Sequence, residues 1–287
     1  MVIPTKKLKS GFEMSVFGLG TWYMGGGMTS DTTTDKKDIA GIKNAIDEGI
    51  TLIDTAELYG AGHAEELVGE AIKDYDRSKL FIVSKVYSDN LRYDDVLNSC
   101  RQSLKRIGTD YLDLYLIHAP NPDIPLEETM KALDELKGKG LIREIGVSNF
   151  NIGRLKEAQN FTKNKIVVNQ IHYNLAFQDL QEVVDYCQES DVLITCYRPI
   201  EQGVMAKGGI AVIDGICKKY HKTPAQVAIN WIISQKNMTT ISKTSSRNHL
   251  EENLGAVGWQ VIDEDIKFLK KEFPEVKLPE TVMSLKE

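Results

Sequence analysis

The sequence is short of several things, and each absence removes a class of function. Its 287 residues include only four cysteines, Cys100, Cys187, Cys196 and Cys217, with no C-x-x-C pairing. Reduced, buried thiols are therefore expected rather than a disulfide framework. Positive charge is not in excess: 35 Lys and Arg against 41 Asp and Glu leave a net charge of −6. That balance offers no basic footprint for nucleic acid and no polybasic membrane surface. No apolar run approaches the roughly 20 residues of a membrane span. The N-terminus, Met1-Val2-Ile3-Pro4-Thr5-Lys6-Lys7, lacks an apolar signal core. A cytoplasmic protein is the expectation. The histidines at 63, 118, 172, 221 and 249 show no H-x-x-x-H or H-x-x-E-H spacing, so no metal site is expected. No Pro/Gly/Ser-rich linker, repeat or low-complexity block divides the chain, and one domain over residues 1–287 is expected.

What is present is an alternation. After a hairpin at 6–8 and 13–15, turning at Ser10-Gly11, a short apolar strand spans 16–20. Residues 35–48 then read as a helix, with Ile39, Ile42 and Ile46 on one face and Gly49 past its end. Further strands fall at 52–55, 80–85, 112–118, 142–148, 166–171, 192–197 and 239–242. Helices fall between them at 64–75, 93–107, 126–137, 152–161, 180–189, 210–220 and 224–234, with two more at 247–256 and 263–272. Eight strands alternating with helices predict a (β/α)8 TIM barrel with an N-terminal β-hairpin and extra C-terminal helices. A doubly wound sheet is the competing architecture. It usually carries a G-x-G-x-x-G turn after its first strand, and Gly20-Thr21-Trp22-Tyr23-Met24-Gly25-Gly26-Gly27 lacks that spacing.

Three strand-like runs end in titratable side chains: Asp54, Lys85 and His118, with Tyr59 just beyond the first. Side chains alternate faces along a strand. Leu52 shares a face with Asp54, Phe81 and Val83 with Lys85, and Leu114 and Leu116 with His118. The polar residues are thus expected as the top layer of an otherwise apolar barrel interior, at the C-terminal face where such barrels keep their active sites.

An acid, a cation, a phenol and an imidazole suit protonation of a carbonyl oxygen, and the set contains no good nucleophile. A free phenol has a pKa of about 10, and a neighbouring ammonium lowers it. Lys85 supplies that charge if Asp54 keeps it protonated by ion pairing. His118 orients a carbonyl or relays a proton. Singly, each has a plainer reading: Tyr59 as packing, Asp54 with Lys85 as a structural pair, His118 as a satisfied core histidine, Trp22 as packing. The convergence favours a site.

The chain resembles the aldo-keto reductases over nearly its whole length. The resemblance is carried by Gly18-Leu19-Gly20-Thr21-Trp22, Asp54-Thr55-Ala56-Glu57-Leu58-Tyr59-Gly60, Ser84-Lys85 and Leu116-Ile117-His118. It continues through Ile145-Gly146-Val147-Ser148-Asn149-Phe150, Asn169-Gln170, Tyr173-Asn174, Tyr197 with Pro199, Lys243-Thr244-Ser245 and Glu252-Asn253. It implies a catalytic tetrad of Asp54, Tyr59, Lys85 and His118, and reduction of an aldehyde or ketone by a reduced nicotinamide, with Tyr59 as proton donor. No side chain supplies a hydride, so a cofactor is required.

By the same resemblance Ser148, Asn149 and Gln170 hold the carboxamide and Tyr197 stacks on the nicotinamide. Thr21 and Asp54 help position the cofactor, and Trp22, with Tyr59 and His118, lines the substrate pocket. Arg198, Ile200, Gln202 and Gly203 continue the cofactor site. Lys243, Thr244, Ser245, Arg247, His249, Glu252 and Asn253 form its adenosine end, where a helix N-terminus attracts phosphate. NADP(H) is favoured and NAD(H) is possible.

The chain departs from the family pattern at His249, where many NADP-preferring members carry Arg. Arg247 then compensates or is a solvated surface charge. It departs again at Arg198, where relatives usually have Ser; Arg198 pairs with the cofactor diphosphate or with an acidic side chain. The side taken by His172 is open. Small carbonyl compounds are the expected partners, in a monomer or small homo-oligomer, with no nucleic acid and no membrane. Two alternatives stand: a cofactor-loaded regulatory subunit with vestigial activity, and a phosphate-binding isomerase barrel. The short segment at 274–287 predicts an open, promiscuous pocket.

Overall fold

The computed structural model describes residues 1–274, so the segment from 275 onward, and the expectation of pocket shape placed on it, lie outside the described residues. Two short strands, β1 (Thr5–Lys7) and β2 (Glu13–Ser15), pair antiparallel. Eight parallel strands follow: β3 (Phe17–Gly20), β4 (Leu52–Asp54), β5 (Phe81–Val86), β6 (Leu112–Ile117), β7 (Ile142–Ser148), β8 (Ile166–His172), β9 (Leu193–Tyr197) and β10 (Met238–Ser242). Each pairs with the next, and β10 pairs with β3, so the sheet closes into a barrel.

The helices cover it: α1 (Asp35–Asp47), α2 (His63–Ile72), α3 (Tyr93–Ile107), α4 (Leu126–Gly138), α5 (Ile152–Asn160) and α6 (Gln181–Glu189) connect successive strands. Two helices, α7 (Ala211–Tyr220) and α8 (Pro224–Ile233), link β9 to β10, and α9 (Arg247–Leu254) and α10 (Asp263–Glu272) follow. The expected barrel, hairpin and late helices are all there, and element ends differ from the sequence-based bounds by no more than three residues.

Strand parity divides the core. Ile53, Ile82, Tyr115, Ile117, Ile145 and Ile194 face outward into the layer beneath the helices. Leu52, Val83, Leu114, Leu116, Val168, Leu193 and Ile241 fill the interior. Each such buried aliphatic side chain contributes about 1.5–3 kcal/mol. Gly18 belongs to this interior face, and a Cβ there would lie 2.5 Å from Leu52 Cγ, so the absent side chain makes room for the leucine.

At the N-terminal end the hairpin caps the barrel. Leu8 and Met14 join the interior cluster and Phe12 packs edge-on against Phe81 at 6.1 Å. With the lower interior filled largely by hydrocarbon, the ionisable groups that point into the barrel gather at its C-terminal end.

Candidate active site

Asp54 is the last residue of β4 and lies one step beyond buried Ile53 and two beyond Leu52, so the pleat turns its carboxylate inward. Lys85 comes inward from β5 two residues past Val83. Both are almost completely buried. Lys85 Nζ donates to Asp54 Oδ1 at 2.5 Å, to the Thr55 carbonyl at 2.9 Å and to the Tyr59 hydroxyl at 3.3 Å. Its three protons therefore have three acceptors. The other carboxylate oxygen of Asp54 accepts from Gln170 Nε2 at 2.8 Å.

Tyr59 is placed by a tight turn. Gly60 has φ 57°, and a Cβ there would stand 2.4 Å from the Gly25 carbonyl. The Gly60 amide donates to the Gly27 carbonyl at 2.7 Å, which ties the phenol's turn to the loop that carries Trp22. The Trp22 ring lies 4.8 Å from the Tyr59 ring, and the His118 ring meets Tyr59 edge-on at 5.5 Å. The structure thus brings Asp54, Tyr59, Lys85, His118 and Trp22 to one place at the barrel mouth.

The electrostatics depart from the expected phenol. Burial pushes the Tyr59 pKa up, and the Lys85 charge pulls against that without reversing it. The reason is that the loss of solvation acts on the whole phenolate, whereas Lys85 already shares its charge with Asp54. For Lys85 burial works downward, but Asp54 and then Tyr59 outweigh it, and the ammonium is held above its usual value. His118 is driven down to about 3, first by burial and then by the Lys85 charge. It is a neutral imidazole at pH 7, suited to orienting a carbonyl by hydrogen bond rather than to acting as an imidazolium acid.

A second polar group adjoins the first. Asn149, in the left-handed region at φ 60°, donates to the His118 carbonyl at 3.0 Å and to Ser148 Oγ at 3.0 Å. Ser148 Oγ donates to the Gln170 carbonyl at 2.9 Å, and the Tyr197 hydroxyl donates to Asn149 Oδ1 at 2.9 Å. Ser148, Asn149, Gln170 and Tyr197 therefore form one patch of amide, hydroxyl and aromatic groups beside the buried lysine. A planar carboxamide on a flat ring matches this donor set, so the residues present fit a nicotinamide. Thr21 is more internal than expected: its hydroxyl is spent on the Asp54 carbonyl at 3.0 Å, where it fixes the end of β4.

The loop after β9 is bent: Arg198, Glu201 and Gln202 have φ of 56°, 44° and 52°, and Gly203 has 91°. Non-glycine residues held there cost on the order of 1–3 kcal/mol each, and such strain gathers at ligand sites. Ile200 packs on the outer core while Gln202 is exposed.

The remaining expected residues lie apart, around the end of β10 and the start of α9. Lys243 and His249 are exposed and Glu252 is half-buried. Thr244 Oγ1 is used by the Ser246 backbone, and Asn253 Nδ2 donates to Ser242 Oγ at 3.2 Å. Arg247 pairs with Glu251 at 3.0 Å and Glu48 at 3.6 Å, as a solvated surface charge does.

Two residues escaped the sequence reading. Asp38 is buried in α1 and accepts from Ser245 Oγ at 2.6 Å, Thr34 Oγ1 at 2.7 Å and the Gly25 amide at 3.3 Å, joining the β10–α9 loop to the Trp22 loop. Its signal was a carboxylate four residues before Ile42, on the apolar stripe of α1. Glu201, fully buried, accepts from His172 Nε2 at 2.6 Å. No local pattern marked it, since it lies in a loop. This contact settles the side taken by His172.

Among the described residues, no three or more His, Cys, Asp or Glu side chains gather to hold a metal, and no helix is long and apolar enough to cross a membrane. The sequence pattern of the aldo/keto reductase family matches residues 16–271. The chain is 34% identical over 270 residues to the methylglyoxal reductase YeaE of Escherichia coli strain K12, spanning 92% of this chain and 93% of that one. Its fold is similar to that of a thermostable aldo-keto reductase, Tm1743, crystallised with the inhibitor epalrestat. The TM-score is 0.90 at 42% identity, over 93% of this chain and 99% of that one. It is similar also to an aldo-keto reductase of Klebsiella pneumoniae in complex with NADPH, with TM-score 0.85 and 31% identity over 100% of both.

Proposed function

The chain belongs to the aldo/keto reductase family, and from that premise we propose that it reduces small aldehydes or ketones to alcohols with NADPH, Tyr59 acting as the general acid. The observation that carries this reading is the fully buried Lys85 Nζ, 2.5 Å from Asp54 and 3.3 Å from the Tyr59 hydroxyl.

The reduced nicotinamide, when bound, supplies the hydride to the carbonyl carbon. Tyr59 gives its phenolic proton to the carbonyl oxygen as negative charge develops there. Proton loss from so buried a phenol needs a cation close by, and Lys85 is that cation. Asp54 keeps Lys85 protonated and Gln170 holds Asp54 in place. His118, neutral, donates one ring N–H hydrogen bond to the carbonyl oxygen and fixes the approach of the substrate. Trp22 gives an apolar wall beside the phenol and excludes water. Tyr59 then recovers its proton from solvent.

Ser148, Asn149 and Gln170 would hold the carboxamide, with Tyr197 against the ring. Asn149 Oδ1 accepts from Tyr197 and has a second lone pair for a carboxamide N–H. Lys243, with Thr244 or Ser245, would take a 2′-phosphate, which favours NADPH over NADH. Comparing the dissociation constants of the two cofactors, with a His249→Arg variant alongside, tests that preference.

The likeness to a methylglyoxal reductase makes small 2-oxoaldehydes the first substrates to try. NADPH oxidation followed by absorbance, with methylglyoxal and a panel of small aldehydes, for wild type and Tyr59→Phe, tests the whole reading. Turnover by wild type and its near-abolition in the variant are expected. Tight NADPH binding without turnover of any carbonyl would favour a cofactor-loaded regulatory subunit instead.

A further inference from the structure

We propose that His172 and Glu201 are positioning residues that form a buried latch for the nicotinamide platform. The pair fixes the plane of the Tyr197 ring and the left-handed path of residues 198–203, and so sets the affinity for the cofactor. The inference rests on the preceding reading, in which Tyr197 stacks on the nicotinamide.

His172 ends β8 and is the register partner of Tyr197 on β9, so the two side chains leave neighbouring strands on the same side. Their rings stack 5.3 Å apart and 11° from parallel, and Phe177 stacks on the far face of His172 at 4.5 Å and 13°. Tyr197 is thus one plate of three, and on the preceding reading the nicotinamide ring takes its other face.

Turning the imidazole would break its bond to Glu201, which holds the stack in one orientation. That bond, 2.6 Å from His172 Nε2 to Glu201 Oε2, joins two side chains with 1% and 0% exposure. Asn174 Nδ2 donates to the same oxygen at 2.8 Å and to the Arg198 carbonyl at 2.9 Å, tying the loop to the strand at a second point. A glutamate is almost never so deeply buried unless paired. Burial alone would push its carboxyl up, but the bonds from His172 and Asn174 outweigh that and hold it down.

Glu201 sits at φ 44° between Arg198 and Gln202, both also left-handed. A surface glutamate in such a loop would turn to water, whereas this one points inward and is gripped. Two apolar residues would serve stability as well as this buried polar pair. What the pair adds is direction: one ring plane and one backbone course next to the expected cofactor.

The whole chain serves for the test, as wild type, His172→Phe, Glu201→Gln and the double variant. Readouts are the NADPH dissociation constant by fluorescence titration, the KM for NADPH against kcat, and hydrogen–deuterium exchange of the Glu201, Gly203 and Val204 amides without cofactor. In the free protein these amides are bonded to the Arg198, Ile200 and Glu201 carbonyls. His172→Phe keeps an aromatic plate but takes the His172 donor from the buried Glu201 carboxylate and leaves that of Asn174. The expected result is NADPH binding weaker by about tenfold, KM rising more than kcat falls, and faster exchange at the three amides. Adding Glu201→Gln removes the under-bonded buried charge and recovers part of the affinity, a rescue that loss of packing alone would not produce. Affinity within twofold of wild type together with unchanged exchange in His172→Phe overturns the latch. If that variant does not fold, Glu201→Gln decides alone: weaker binding and faster exchange support the latch, and no change overturns it. If wild type binds no nicotinamide, the reductase reading falls, while the exchange arm still decides whether the pair holds the loop.

Discussion

Where the barrel strands begin, the interior is closed by Leu8, Phe12 and Met14 and the charges stand at the rim; where the strands finish, the charges are inside. At the beginning, Asp113 takes Arg77 at 2.8 Å and Arg143 at 3.1 Å, and both guanidinium groups lie over the Tyr111 ring. Asp191 accepts from the Lys9 and Ser10 amides of the hairpin turn. At the finishing end lie Thr55, His118, His172 and Glu201, which hold four of the five buried side-chain polar atoms without a partner among the described residues. Six of the nine left-handed non-glycine residues, Tyr23, Ala61, Asn149, Arg198, Glu201 and Gln202, also follow strand ends there. One set of strands thus has an end that is satisfied and an end that is held in tension. Hydrocarbon and paired charges close the first end, and unpartnered buried polar atoms and left-handed backbone gather at the second.

The contrast can be broken by mutation. The largest effect belongs to the finishing end. Tyr59→Phe removes one hydroxyl and lowers kcat by about a thousandfold, while the melting temperature scarcely moves; steady-state kinetics and calorimetry check both. Lys85→Met leaves Asp54 as an unpaired buried charge and lowers stability by about 3–5 kcal/mol in urea unfolding. The double variant Asp54→Asn/Lys85→Met regains most of that stability and none of the activity. Recovery of turnover would mean that the pair serves packing alone.

At the beginning the signs reverse. Leu8→Ala empties part of the plug and costs about 2–5 kcal/mol, with kcat at saturating substrate and cofactor near that of wild type. A collapse of kcat without loss of stability would erase the division between the two ends.

A smaller effect is read in acid. The folded protein holds His118 at about 3, whereas the unfolded chain takes up the proton near pH 6.5. Its stabilisation is therefore complete above pH 6.5 and is lost as pH falls from there towards 3. Between pH 7 and pH 5 wild type should lose about 2 kcal/mol more than His118→Gln. Equal losses would mean that the imidazole is hydrated in the folded state. The smallest effect is expected of Arg247→Ala. Its ion pairs are largely solvent-exposed, so stability changes by no more than about 0.5 kcal/mol, and an unchanged NADPH dissociation constant would assign Arg247 to the surface.

The barrel interior and the charged residues at its strand ends were legible in sequence. Alternation along β4, β5 and β6 placed Leu52, Val83, Leu114 and Leu116 inside, because burial of hydrocarbon repeats with the pleat. The same alternation carried Asp54 and Lys85 inward. What escaped was whatever depends on the third dimension. The sign of the Tyr59 shift is a balance between burial and a charge that Lys85 divides with Asp54. The side chosen by His172 depends on Glu201, 29 residues away in a bent loop. Asp38 was visible as an acid on an apolar stripe, but Ser245, its partner, lies 207 residues on. The plain motif Lys243-Thr244-Ser245 gave no sign that its serine is already engaged.

The closure of the barrel by β10 on β3, with Thr240 opposite Phe17, has a consequence for biosynthesis. During translation the nascent chain can carry only an open sheet until the strand ending at Ser242 has left the ribosome. Two bare strand edges stay available to neighbouring nascent chains for most of synthesis, a known route to edge-to-edge aggregation. Ring completion joins segments more than 200 positions apart, so the slow step of maturation should come late, after release of the C-terminal third.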